Sequence, residues 1–267
     1  MVLRTPGAVS ILDSPFRDED GAEHLAHVSG ILPKGDRMNA RRVVLGAVGT
    51  VVAGGAGVVV TGMILSSAGA QAASLSAVVR GTVQTAQGTL PHAYLNIASY
   101  PDSVQGVHGK DGGAHPTWVT YGPTSKLQVP AHSMVTITID QYDTGGTITN
   151  SYFAIPRGTV GGTETVDGKT VSKVSPDKVG HTFTLHAAPT NQDPLFVSVP
   201  LPALPDDAKP VGDAPYPKPH VVTFSFITGG KGEYVWNCEY PCGDGYYAKF
   251  GGPMSTRGYM AGTLVVT

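Results

Sequence analysis

The feature that most constrains the fold is a series of short segments between residue 134 and the C-terminus. They are MVTITIDQY (134–142), HTFTLHA (181–187), LFVSVPL (195–201), VVTFSFI (221–227), EYVWNCEY (233–240) and GTLVV (262–266). Each is rich in β-branched or aromatic residues, and several alternate between apolar and polar side chains. Such strands without intervening helices predict an all-β sandwich or barrel.

Composition agrees with this fold class and excludes one class of function. The chain has 35 Gly and 21 Pro but only 14% charged residues, which suits many strands joined by turns. Its 18 Lys+Arg against 20 Asp+Glu give no excess of basic charge of the kind that nucleic-acid-binding domains show, so nucleic-acid binding is not expected. The proline-rich segment 198–220 predicts a long, stiff surface loop.

An uncharged run of 23 residues at 43–65 predicts attachment to a membrane, because about 20 apolar residues span a bilayer as one helix. A basic cluster ending in Arg41 and Arg42 precedes the run, and the next basic residue is Arg80. By the positive-inside rule, segment 1–42 is cytoplasmic, and it is expected to be disordered. The C-terminal domain is then outside the cytoplasm of a single-pass membrane protein.

A cleaved export signal is the alternative interpretation of the same run. Arg41-Arg42 resembles a twin-arginine signal, and Ala70-Gln71-Ala72 offers a cleavage site, after which the chain would be secreted. Both interpretations export the same domain, which we expect at 85–267 behind a tether at 66–84.

Three local patterns in the C-terminal third supply candidate metal ligands. His181 lies in a Gly-His-Thr-Phe sequence on a predicted strand. Cys238 ends a strand after an aromatic-x-aromatic-x pattern, and Met260 leads directly into the last strand. Thiolate and thioether favour Cu(I), and imidazole accepts both copper oxidation states.

These patterns resemble the cupredoxin family of Greek-key copper proteins. The resemblance covers about residues 91–267 and implies a Greek-key β-sandwich that binds copper and transfers electrons. It also implies His181 as the upstream ligand, Cys238 as the thiolate and Met260 as the axial thioether.

The spacing of the two cysteines, Cys238 and Cys242, resembles the binuclear copper loop of cytochrome oxidase subunit II. That resemblance implies Cys242 as a second thiolate and a respiratory-chain or oxidase protein as partner. Met254 is the alternative thioether. From the residues alone, the pair suits either two soft-metal ligands or a short disulfide.

One departure from both copper classes leaves a second hypothesis open. No histidine occurs after His220, whereas both classes have one between the cysteine and the methionine. A histidine from elsewhere can take its place, and the candidates are His132, His186 and His220. Otherwise the fold has lost its metal, and a Cys238–Cys242 disulfide stabilises a structural or interaction module.

Enzyme signatures are absent from the sequence. It has no G-x-S-x-G, H-E-x-x-H or P-loop motif, so hydrolase and nucleotide-dependent chemistry are not indicated. We therefore expect an electron carrier or binding protein, with an oxidase accessory subunit as a further option.

Overall fold

Thirteen strands and three short 3₁₀ helices are found in the computed structural model, which describes residues 73–145, 149–241 and 252–267. The strands are β1 (Leu75–Ser76), β2 (Val78–Thr85), β3 (Gly88–Tyr100), β4 (Thr120–Gly122), β5 (Lys126–Val129), β6 (Met134–Gln141), β7 (Glu164–Val166), β8 (Lys169–Val171), β9 (Val179–His186), β10 (Phe196–Pro202), β11 (His220–Ile227), β12 (Gly232–Asn237) and β13 (Ala261–Val266). The 3₁₀ helices are Val160–Gly162, Pro176–Lys178 and Pro253–Ser255.

The N-terminal expectations fall on residues outside these ranges. The segment 1–42 and the apolar run 43–65 are not among the described residues. Within the part of the chain that is described, no helix has the length and apolar character needed to cross a membrane.

Two mixed sheets contain all the strands. One has the order β1-β5-β13-β12-β9-β10, and the other has the order β2-β3-β6-β11-β7-β8, with β4 paired to β3. Parallel pairing occurs between β1 and β5, β5 and β13, and β3 and β6, and the remaining pairs are antiparallel. The prediction of a mostly β structure is confirmed.

The inner faces of the two sheets share one hydrophobic core. Trp236 of β12 is fully buried, and its ring lies 5.0 Å from that of Phe183 on β9. Phe183 in turn packs against Phe224 of the opposite sheet, with ring centroids 5.5 Å apart. The alternating residues that predicted these strands therefore face each other across the core.

The strand that precedes Cys238 is shorter than its sequence pattern predicts. β12 ends at Asn237, although the pattern extends to 240. Beyond it, the Glu239 backbone N–H donates to the Thr182 hydroxyl at 2.9 Å instead of continuing the ladder. β12 therefore ends directly before Cys238, and at Glu239 a side-chain hydrogen bond takes the place of backbone pairing.

Strands also occupy part of the segment expected to be a tether. β1 and all but the last residue of β2 lie within 66–84, so the folded part of the chain begins before residue 85. β1 pairs with β5 of one sheet and β2 with β3 of the other. The small and polar composition that suggested a tether does not prevent pairing, because β2 runs along the edge of its sheet, where most of its residues are exposed.

The proline-rich loop predicted from residue 198 begins only at 203. Pro200 and Pro202 belong to β10, which is an edge strand and therefore tolerates residues without a backbone N–H. On the outer side of β10, Arg157 and Ser198 exchange two backbone hydrogen bonds of 2.8 and 3.0 Å.

Candidate metal centre

Three candidate ligands lie where β9, β12 and β13 come together. His181 is on β9, Cys238 directly follows β12, and Met260 directly precedes β13. β12 is paired with both other strands, so the ladder fixes these positions relative to one another. The Cys238 backbone N–H donates to the Met260 carbonyl at 2.8 Å, which continues the β12–β13 pairing by one residue.

Cys238 and His181 face each other in the interior. The Cys238 Sγ lies 3.9 Å from the His181 Nδ1, and both residues are fully buried. The Thr182 backbone N–H points at the same sulfur from 3.4 Å, and the Tyr240 carbonyl lies 3.3 Å from it. The structure thus places two of the predicted ligands next to each other.

The second nitrogen of His181 contacts a carboxylate from the opposite sheet. Its Nε2 lies 2.7 Å from the Asp143 Oδ2, in the segment that follows β6. Burial lowers the pKa of His181, but hydrogen bonds and charge interactions with Asp143 and Cys238 raise it to about 10. Burial raises the pKa of Asp143, but His181 and the Thr144 and Gly145 backbone N–H groups hold it below its usual range. These shifts favour the charged form of each side chain.

Two glycines allow this contact between the sheets. A Cβ atom added to Gly145 would lie 2.3 Å from the Gly180 Cα, so only a residue without a side chain fits there. Gly145 also has a φ of 78°, which other residues rarely adopt. The close approach of these backbones brings Asp143 next to His181, one residue beyond Gly180.

The separation of the sulfur and the nitrogen suits a single bridging metal ion. Bonds to thiolate and imidazole are about 2.3 and 2.0–2.1 Å for zinc, so two ligands of one ion lie within about 4.4 Å of each other. The observed 3.9 Å is inside this limit and longer than an ordinary hydrogen bond. One soft, buried thiolate beside one imidazole matches the donor preference of copper.

Of the other predicted ligands, Met260 and Met254 are among the described residues and Cys242 is not. Met260 is fully buried beside Cys238, and Met254 is half-buried against the core. Cys242 lies outside the described residues, so neither its role as a second thiolate nor the disulfide is tested. Among the described residues, no group of three or more His, Cys, Asp and Glu side chains is arranged to hold a metal ion.

The three substitute histidines lie in other parts of the fold. His132 precedes β6, whereas Asp143 follows the other end of that strand. His186 is at the far end of β9, where its Nε2 lies 3.1 Å from the Asn237 amide oxygen. His220 begins β11, and its Nδ1 lies 2.7 Å from the Asp167 carboxylate.

An imidazole that is not among the predicted ligands contacts Tyr259, the residue before Met260 in the chain. The ring of His108 stacks on Tyr259 with centroids 4.2 Å apart, and His115 stacks on Trp118 at 3.7 Å. Burial lowers the pKa of His108, and the nearby His115 lowers it further, while the Gly258 backbone opposes both. Burial therefore favours the neutral form of His108, which lies in the loop between β3 and β4.

Comparisons with known proteins give only distant structural likenesses. No protein-family model matches the sequence, and no curated protein matches it significantly. Among solved structures, auracyanin B has a TM-score of 0.30 and 14% identity, over 70% of this chain and 96% of that chain. A multicopper oxidase has a TM-score of 0.24 and 10% identity, over 66% of this chain and 44% of that chain.

Proposed function

We propose that this chain is a cupredoxin-like copper protein with a Greek-key sandwich, and that it carries electrons or copper. The observation that supports the proposal is the Cys238 Sγ facing the His181 Nδ1 at 3.9 Å, both fully buried. Met260, held next to Cys238 by a backbone hydrogen bond, is the third ligand in this proposal. When bound, copper would supply one-electron redox chemistry at these side chains.

The protein's own residues have separate roles in this proposal. Cys238 binds the ion through its thiolate, and the Thr182 backbone N–H directed at the sulfur stabilises negative charge there. His181 binds through Nδ1. The closed packing around Trp236 and Phe183 keeps water away from the sulfur and limits rearrangement of the ligands.

Copper binding by the reduced full-length protein tests the proposal directly. We expect one or two copper ions per chain in a titration with Cu(I) against a competing chelator. His181→Ala and Cys238→Ser should each lose this binding, because each removes one of two facing ligands. His186→Ala is the matched control, since it removes another histidine from the same strand and should keep the copper.

Two outcomes of that titration would overturn the proposal. One is copper binding that survives in both His181→Ala and Cys238→Ser. The other is no binding by the wild-type protein together with a thiol count showing both cysteines locked in a disulfide. The second outcome would favour the metal-free interaction module, which the absence of any histidine after His220 already supports.

Visible absorption of the copper-loaded protein separates electron transfer from copper handling. An intense thiolate-to-Cu(II) charge-transfer band with reversible reduction would indicate an electron carrier, whose partner would be a respiratory-chain or oxidase protein. Tight Cu(I) binding without a stable Cu(II) form would indicate a copper carrier, because soft sulfur ligands select Cu(I).

We further propose that segment 43–65 holds the domain at the outer face of the cell membrane. The support is the uncharged run and the basic residues on its N-terminal side. The intact chain should then stay in the membrane fraction after salt and carbonate washes and dissolve only in detergent. A soluble chain whose N-terminus lies just after Ala72 would instead establish a cleaved signal.

A further inference from the structure

The two nitrogens of the His181 ring have unequal surroundings. Nδ1 faces the Cys238 sulfur, and Nε2 faces the Asp143 carboxylate at 2.7 Å. A carboxylate accepts hydrogen bonds and cannot donate them, so the contact requires a proton on Nε2. Because Nε2 keeps its proton in this contact, Nδ1 is the nitrogen that a metal ion would bind, in place of the proton that the charged ring carries there.

Asp143 is itself held in place by several contacts. Its Oδ1 accepts the Thr144 backbone N–H at 2.8 Å, and its carbonyl accepts the Leu204 backbone N–H at 3.0 Å. The Gln141 side chain donates to the same carbonyl at 3.1 Å. Together with the close approach of Gly145 and Gly180, these contacts fix the carboxylate against the ring.

Burial raises the free-energy cost of any orientation of the His181 ring that loses the hydrogen bond to Asp143. The His181 side chain is 1% exposed and that of Asp143 is 13% exposed, so water gives little compensation for a lost hydrogen bond. A flipped ring would place a carbon atom against the carboxylate and remove Nδ1 from the sulfur. The contact with Asp143 therefore favours one ring orientation and one protonated nitrogen together.

We propose that Asp143 is the positioning residue of this site, which keeps Nε2 protonated and thereby presents Nδ1 to Cys238 and to the metal. The role as a metal-site residue rests on the proposed function, whereas the effect on the ring does not. Carboxylates in this position beside metal-binding histidines set ring orientation, and their loss lowers metal affinity about 10–100-fold.

The ring effect is tested without copper by NMR of the ¹⁵N-histidine-labelled full-length protein. In the reduced wild-type protein, we expect a hydrogen-bonded Nε2–H proton of His181 at low field. Asp143→Leu removes the acceptor at similar size and should abolish this resonance. Asp143→Asn keeps an acceptor without the charge and should retain it in part. A purely structural role would not follow this order between the two variants.

Copper affinity of the same variants completes the test. Asp143→Leu should weaken Cu(I) binding about 10–100-fold and Asp143→Asn less. Asp167→Asn is the matched control, because Asp167 contacts another histidine, His220, at the same 2.7 Å and should leave the affinity unchanged.

The two proposals fail in different ways. If the wild-type protein binds no copper but Asp143→Leu still abolishes the Nε2–H resonance, the proposed function fails and Asp143 still orients the ring. If Nε2 is unprotonated in the wild-type protein, or if Asp143→Leu changes neither the resonance nor the affinity, the positioning role is overturned.

Discussion

Glu164→Gln is expected to raise the free energy of unfolding by about 3 kcal/mol at pH 8. Glu164 begins β7, is 2% exposed, and has no hydrogen-bond partner for either carboxylate oxygen among the described residues. Burial without a partner raises its pKa to about 8. At pH values between 4.5 and about 8, the folded protein therefore holds a proton on Glu164 that the unfolded chain releases.

The pH dependence follows from that difference. The favourable contribution of protonated Glu164 is complete below its ordinary pKa of 4.5, and it is lost as the pH rises toward about 8. The loss is about 1.4 kcal/mol per pH unit within this window, because the unfolded state binds fewer protons there. Glutamine cannot ionise, so the variant should lack this slope, although its buried amide offsets part of the gain.

Urea unfolding of both proteins at pH 5, 6, 7 and 8 measures this effect. His181 also has a raised pKa, but it titrates in both proteins, so its contribution cancels in the difference. Glu233→Gln is the matched control, since Glu233 is an exposed glutamate on a strand and should change stability by less than about 0.5 kcal/mol. A Glu164→Gln variant with the wild-type slope would contradict the prediction.

Gly145→Ala is expected to lower the free energy of unfolding by about 3 kcal/mol and to disturb the His181–Asp143 pair. The added Cβ would lie 2.3 Å from the Gly180 Cα, which is backbone and cannot move alone. A left-handed φ costs about 1–2 kcal/mol for alanine, and forced overpacking adds about 1–3 kcal/mol. Relief of the clash must separate the two segments that carry Asp143 and His181.

Gly81→Ala separates the two causes of that loss. Gly81 has a φ of 79°, close to the 78° of Gly145, but a Cβ added there meets nothing within 4 Å. We expect the free energy of unfolding of Gly81→Ala to fall by only the cost of the left-handed φ, about 1 kcal/mol. The His181 Nε2–H resonance should be unchanged. Equal losses in the two variants would show that the contact with Gly180 is not tight.

The strands were predictable where their own side chains determine them. The segments that became β6, β9, β11 and β13 are rich in β-branched or aromatic residues, and their predicted positions agree with the structure within about two residues. The exposed β2 and the three-residue strands β4, β7 and β8 were not predicted individually. These strands are short or lie at the edge of a sheet, so their formation depends on a neighbouring strand that the local sequence does not specify.

The candidate site was likewise predictable only where the surrounding sequence identifies a residue, and not where residues distant in sequence meet. Cys238 and Met260 could be found because each stands next to a recognisable strand, and His181 because it lies within one. Asp143 was missed, since it is 38 positions from His181 and follows a strand of the other sheet. Its position depends on how the sheets stack. The Gly145 and Gly180 pair is the sequence signal for that contact, but glycines between strands usually indicate only turns.

The outer side of β10 limits how this protein can associate with other chains. At Ser198 the outward N–H and carbonyl are already paired with Arg157, and the next outward positions, Pro200 and Pro202, have no N–H to offer. A strand from another molecule that approached this edge would find few donors to pair with. If many copies are concentrated at one membrane surface, β10 of one molecule will pair poorly with an edge strand of another. This protects the edge from the edge-to-edge aggregation that is a hazard for exposed sheets.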